Sequence, residues 1–441
     1  MENDILKGKS IPKAYISFAM PVVFSMVIAL VYNLADTYFI AQTGDTNLVA
    51  GVSLCAPIIT LLMAFGNIYG QGGSSMIARL IGSRKNEEAS RISAFCFYIA
   101  VLTGVVVGAI LLIFKSPVLR ILGADEITSE YAGQYYTILA LSAPFNVLTF
   151  IHSNVLRSEG LQVQSMIGTI GGSVLNMILD PIFISGFGWG ARGAAIATAA
   201  GYVFSDVYFI FVVIKKSRII TVNPKLVSIP GPDVFQIFGI GIPAAITNVA
   251  QSIAMVLVNQ FLYPYGNDRI AAMGIAMKVS MIVMLIVTGF SFGGAPLYGF
   301  FYGSGDMEKL KKLIRFALSF LCSISAALSV VIIIFAKQFM GIFMDTEEMI
   351  SIGTPMIRLQ VICMVFMAIV QVIQVIFQST GKIAGSFILS ISRQGVVFFA
   401  VLLILSAAFG YNGVIASQAA ADAVSAVLAV FLYRYYFAKK S

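Results

Sequence analysis

Twelve stretches of about 20 or more mostly apolar residues divide this 441-residue chain, each long enough to cross a bilayer as a helix. They centre on residues 14–42, 47–79, 91–115, 128–156, 163–185, 191–214, 234–262, 269–300, 314–336, 350–378, 383–409 and 412–437. The two-residue alternation of a membrane β-barrel is absent, so the spans read as helices. Composition agrees: 59% of residues are hydrophobic and 11% charged, against about 25% charged in a soluble domain. The chain is therefore expected to be an all-α integral membrane protein.

Charge orients the spans. Lys and Arg total 28 against 20 acids, an excess that in a soluble chain would raise the question of nucleic acid. Here the basic residues cluster in alternate loops: Lys7 to Lys13, Arg79 to Arg91, Lys215 to Lys225, Lys309 to Arg315 and Arg434 to Lys440. The opposite loops hold only Lys115, Arg120, Arg192, Arg269 and Lys337. The positive-inside rule then puts both termini in the cytoplasm and leaves nucleic acid without support as a partner. The N-terminal MENDILKGKS carries charges and no small-residue cleavage site, so no removable signal is expected.

The chain also repeats itself. Advancing about 221 residues carries LRSEG (156–160) onto FQSTG (377–381), and GSRKNEEA from Gly82 onto GSGDMEKL from Gly303. Pro21 falls near Pro243, and Gly193 near Gly413. Six spans per copy is an even number, so the copies share an orientation and form a parallel repeat. The expected organisation is an N-terminal six-helix lobe (1–214), a polar Pro-containing linker (215–233) and a C-terminal six-helix lobe (234–441), the lobes related by a pseudo-two-fold axis. Such an architecture suits a carrier whose lobes move around a substrate. No selectivity-filter segment, HExxH, GxSxG or P-loop argues for a channel or a membrane enzyme, and no cofactor motif is present. His152 has no His, Cys or acid at ligand spacing and reads as a structural side chain near a helix end. Cys55, Cys96, Cys322 and Cys363 lie in apolar runs and read as small core residues.

The acids at membrane depth carry the functional signal, because a carboxylate there costs roughly 2.5–3.5 kcal/mol on insertion scales. Asp36 lies about six residues from the outer end of helix 1, or about 9 Å. Asp180 is about five residues from the outer end of helix 5, and Thr198 about seven into helix 6. Asn176 precedes Asp180 by one turn on the same face. Carboxylate, amide and hydroxyl oxygens at one level suit a hard cation such as Na⁺. Two close carboxylates cannot comfortably both ionise without a bound proton or cation, which is the chemistry of a coupling site. Asp180 before Pro181 could instead satisfy freed backbone groups, and Thr198 could serve only close packing. Asp206 and Asp422 also lie well inside helices, as do Lys278 and Arg393. Pro21, fifteen residues before Asp36, makes a bend in helix 1 expected. Softer candidates for a polar substrate cavity are Asn33, Asn154, Gln251, Gln371, Gln374 and Arg393.

These segments, PVVFSMVIALVYNLADTYFIAQTG, LRSEG, NMILDPIFI and GARGAAIAT, resemble the multidrug and toxic compound extrusion (MATE) transporters over essentially the whole chain. The likeness is to the prokaryotic DinF-like branch, whose coupling acids lie in the N-terminal lobe. It implies a monomeric plasma-membrane antiporter that exports organic cations or amphiphilic drugs in exchange for H⁺ or Na⁺. It also implies a cation site at Asp36, Asn176, Asp180 and Thr198, with Pro21 as the bending point of helix 1. The helices that carry acids in the second lobe of the NorM-like branch here hold Asn248, Gln251, Gln371 and Gln374 and no acid. A flippase for lipid-linked oligosaccharide, from the same superfamily, is the alternative, and Lys278 and Arg393 are what favours it.

Overall fold

The computed structural model describes residues 10–344 and 346–437, and every regular element in it is a helix. The terminal charges Lys7, Lys9, Lys439 and Lys440 lie outside the described residues. In chain order the spans are α1 (Ile11–Ala41), α2 (Thr46–Gly82), α3 (Asn86–Ile113), α4 (Thr128–Leu141 with Ala143–Ser158), α5 (Gln162–Gly186) and α6 (Gly190–Lys215). They continue as α7 (Gly231–Tyr265), α8 (Asn267–Gly303), α9 (Met307–Ile334), α10 (Glu347–Ser379), α11 (Ile383–Phe409) and α12 (Tyr411–Phe437). Eleven of these are long and apolar enough to cross a membrane singly, and α4, bent by 54°, makes the twelfth. The all-helical membrane fold read from the apolar runs is the fold observed.

The bend in α4 has a local cause. Pro144 has no N–H to give the Ala140 carbonyl, and that carbonyl lies against Gly108 of α3, where a Cβ would sit 2.5 Å away. The neighbouring Gly104 meets Pro144 itself just as closely, so α3 and α4 touch backbone to backbone.

The duplication is written into the element boundaries. Helices begin at Asn86 and Met307, Lys115 and Ala336, Ala143 and Met364, Gln162 and Ile383, and Gly190 and Tyr411, each pair 221 residues apart. Even the interruption of α4 at Ser142 recurs in α10 at Cys363.

The chain packs as two compact units, one of Phe24–Ala245 with Gly303–Gly305, the other of residues up to Val23, Ile246–Tyr302 and Asp306 onward. The changes of unit thus fall inside α1 and α7, two residues after Pro21 and Pro243, and not at the linker 215–233. The reason is packing. In one unit the Tyr15 hydroxyl donates to the Phe290 carbonyl (2.9 Å) and its ring packs on Phe316 and Phe320. In the other, Phe238 of α7 stacks edge-on to Tyr69, and Gly241 lies against Ile68. The linker is pinned within its unit: Glu159 accepts from Ser217 and from the Arg218 and Ile219 amides, while Tyr98 donates to the Val222 carbonyl.

The α1–α2 turn is fixed by Asp45, which caps the Asn47 and Leu48 amides and accepts a 2.7 Å hydrogen bond from Tyr131. That hydroxyl, with the two amides, holds the Asp45 carboxyl below the usual carboxylate range.

Candidate functional site

The Phe24–Ala245 unit brings several polar side chains together where α1, α5 and α6 meet in the apolar bundle. The α5 sequence LNMILDP sets Asn176 and Asp180 one turn apart, and both are buried, at 2% and 0% exposure. Pro181 then withholds an N–H from the Met177 carbonyl, and the helix continues as a π turn over Ile182–Gly186, closed by Phe187 N–H to Ile182 O at 2.8 Å. The acid therefore sits where the helix widens. On α6, Thr198 lies 5% exposed and accepts from Asn176 Nδ2 at 3.3 Å. From α1, Asp36 turns its carboxyl toward that of Asp180, within hydrogen-bonding reach once one proton is shared.

Asp36, Asn176, Asp180 and Thr198 are thus brought together, three helices contributing to one cluster. Its wall is aromatic. The hydroxyls of Tyr32 on α1 and Tyr135 on α4 reach Thr198, and Tyr202 on α6 stands beside Asp36. These tyrosines are not among the residues singled out from the sequence. Tyr32 is one turn from Asp36 and Tyr202 one turn from Thr198, so helical spacing carried a signal for both. Tyr135 arrives from another helix and left none.

Chemically the cluster is rich in acceptors. Asp36 Oδ1, Asn176 Oδ1 and both carboxylate oxygens of Asp180 are buried and receive no hydrogen bond. Each such group costs about 1–3 kcal/mol, and more if charged, unless a proton or cation joins it. The donor set is oxygen only, the preference of Na⁺ and of other hard cations. Among the described residues no three His, Cys, Asp or Glu side chains gather as a metal site, so a cation here would rest on two carboxylates with amide and hydroxyl oxygens.

The remaining candidates are dispersed. Asn33 is exposed and donates to the Ala29 carbonyl. Asn154 donates to Phe150 O and accepts from Arg157 at 2.7 Å. Gln251 is exposed with its amide near Met284 sulfur, and Gln371 is half-buried. Gln374 is buried and donates to Ser390 (3.0 Å) and Thr247 (3.3 Å). Arg393 is also buried, in a π turn of α11 (Ser392–Val396), and its Nε donates to Asp422 Oδ1 on α12 at 2.8 Å. Gln418 donates to the same oxygen. Lys278 is exposed on α8. Pro21 is buried in an α1 that stays helical through it. All four cysteines are free, and Cys55, Cys96 and Cys363 are buried as expected of core residues.

His152 sits beside an acid. It lies inside the second half of α4, 3% exposed, with Nδ1 3.9 Å from Oδ1 of the buried Asp206 on α6. Its acid partner is distant in sequence, so ligand spacing could not reveal it.

Comparison with known proteins gives the same lineage from three directions. The MatE family model matches the chain twice, at residues 21–182 and 243–404, which are offset by nearly the internal repeat. The multidrug export protein MepA of Staphylococcus saprophyticus is 31% identical over 428 residues, covering 96% of this chain and 94% of that protein. Among solved structures, a MATE in the straight conformation superposes with a TM-score of 0.93 at 25% identity, over 99% of both chains. A MATE in the bent conformation gives 0.91 at 25% identity, over 98% of this chain and 96% of the other. Matched nearly end to end in sequence and in fold, and doubled at the spacing of its own repeat, the chain belongs to the MatE family, the multidrug and toxic compound extrusion transporters.

Proposed function

We propose that this protein is a secondary active multidrug efflux antiporter that exports organic cations or amphiphilic drugs in exchange for H⁺ or Na⁺ by alternating access. The observation that carries the proposal is the buried, acceptor-rich cluster of Asp36, Asn176, Asp180 and Thr198. Two carboxylates in an apolar lobe are stable together only with a proton or a cation between them, so occupancy by the coupling ion and the conformation of the lobe are linked. Export named for MepA supports the cargo class, and an acidic lobe favours cationic cargo. Pro21, two residues before α1 changes unit, is the point at which ion occupancy would bend that helix, and the two six-helix halves are the lobes that alternate.

Finer assignments follow the same reading. The placement of both cluster acids in the first half supports the DinF-like branch. The basic loops support a plasma-membrane protein with both termini cytoplasmic, and we take it to act as a monomer. The flippase alternative drew on cationic side chains, and Arg393 is already engaged by Asp422.

The test is drug efflux from proteoliposomes under an imposed Na⁺ or H⁺ gradient, with wild type and Asp36→Asn. Gradient-driven export that Asp36→Asn abolishes supports the proposal; full export by Asp36→Asn, or no export under either gradient, overturns it.

A further inference from the structure

A second group of titratable side chains lies in the same unit, apart from the four coupling residues. Asp206 and His152 are 2% and 3% exposed. Thr149 donates to Asp206 Oδ1 at 2.9 Å, which leaves Asp206 Oδ2 and both imidazole nitrogens buried without a hydrogen-bond partner. The imidazole is held between the rings of Phe97 (5.5 Å) and Phe209 (6.0 Å), so it is fixed beside the carboxylate with its polar atoms unspent. A structural histidine is normally satisfied, because an unpaired buried ring N–H costs about 1–3 kcal/mol.

The group's position is equally specific. Tyr202, which stands beside Asp36, is one turn before Asp206 on α6, and the Thr149 hydroxyl also touches its carbonyl. Asp206 is eight residues beyond Thr198, or about 12 Å along the helix, toward the end at Lys215. His152 likewise lies six residues before Ser158, the end of α4 at the same side. The titratable groups brought by neighbouring elements are few: Tyr69 on α2, hydrogen-bonded to Thr103, and the buried Cys96 on α3. From Gln162 to Leu179, α5 brings none, and Arg157 on α4 is engaged by Ser153 and Asn154.

We propose that His152 and Asp206 form a second proton-binding site, which passes protons between the Asp36–Asp180 cluster and the membrane face where α4 and α6 end. The inference rests on the reading of Asp36 and Asp180 as the coupling site. One proton from a hydronium ion adds to the free ring nitrogen of His152 and leaves a water molecule, and the net charge of the pair goes from minus one to zero. No other bond changes, and the Asp206 carboxylate holds the imidazolium. The proton then leaves to a carboxylate of the Asp36–Asp180 cluster, by water or the Tyr202 hydroxyl, and the pair returns to its starting charge.

The test uses the full-length protein in proteoliposomes, with ethidium as the organic cation and a lumenal pH dye, under imposed proton gradients across a range of pH. His152→Gln and Asp206→Asn are expected to displace the pH profile of proton-driven export by roughly one pH unit or more. Val212→Ala trims the buried packing of α6 six residues beyond Asp206, removes no titratable group, and is expected to leave the profile in place. Should Asp206→Asn not fold, Asp206→Glu moves the carboxylate without deleting it and is expected to displace the profile in the same direction. An unmoved profile in His152→Gln and the Asp206 variants, with export still lost in Asp36→Asn, overturns this inference alone. Full proton-driven export in Asp36→Asn overturns the coupling reading and this inference with it. Export driven by Na⁺ with no proton movement also overturns the second site.

Discussion

The same crossing of two helices is built in opposite ways in the two halves of this protein. In the first half, α5 and α6 meet at Gly172 and Gly201, where a Cβ on Gly201 would stand 2.8 Å from the Gly172 carbonyl. Advanced by the 221-residue repeat, those positions are Arg393 and Asp422, a buried ion pair. The candidate coupling residues invert the pattern: Asn176, Asp180 and Thr198 become Val397, Val401 and Ala419, and the neighbouring Tyr135 and Tyr202 become Met356 and Ala423. In the first half, no basic side chain is shown beside Asp36 or Asp180, whereas in the second Asp422 is paired with its own arginine. On the proposed reading, one lobe takes its cation from solution, while the other carries its own in Arg393. Duplication supplied two scaffolds, and divergence left one as the candidate coupling lobe.

The largest effect should come from the open side of this contrast. Asp180→Asn, like Asp36→Asn, is expected to abolish gradient-driven drug accumulation while the protein still folds, because neutralising an acid removes the demand for a cation. Thermal unfolding beside transport checks both halves of that expectation. Next comes the closed side. Arg393→Met strands the buried Asp422 carboxylate and should destabilise the protein by about 3–5 kcal/mol, whereas Arg393→Met with Asp422→Leu should recover most of the loss. Denaturation of the single and double variants measures it, and a single variant as stable as wild type would break the comparison. Gly201→Ala should cost about 1–3 kcal/mol, since the methyl meets backbone that cannot yield. The smallest effect is expected at the α1–α2 turn. The Asp45 carboxyl is held low, so its charged form favours the folded state at neutral pH, and that contribution fades as pH falls through the carboxylate range. Asp45→Ala should lower the melting temperature slightly at pH 7 and progressively less under acid conditions.

Much of this was legible in the sequence, for identifiable reasons. Apolar runs of bilayer length fix the spans, because lipid demands internally bonded backbone. Asp36 and Asp180 stand out because each is the only acid in its helix, and counting residues from the helix ends put them and Thr198 at one depth. What spacing along single helices does not encode is which faces meet. Tyr135, the His152–Asp206 approach and the Arg393–Asp422 pair each join helices distant in sequence. The passage of α1 and α7 from one unit to the other is equally hidden, since the residues around Pro21 and Pro243 are apolar whichever unit they pack in.

The central claim, that the first half binds an exchangeable cation and the second does not, is tested most directly by infrared difference spectroscopy of the reconstituted protein. The signal is the carbonyl stretch of a protonated carboxylic acid as pH or Na⁺ is varied. The account predicts a titrating band in wild type that disappears in Asp36→Asn and Asp180→Asn and persists in Asp422→Asn. A band that survives both first-half substitutions and vanishes in Asp422→Asn would contradict it.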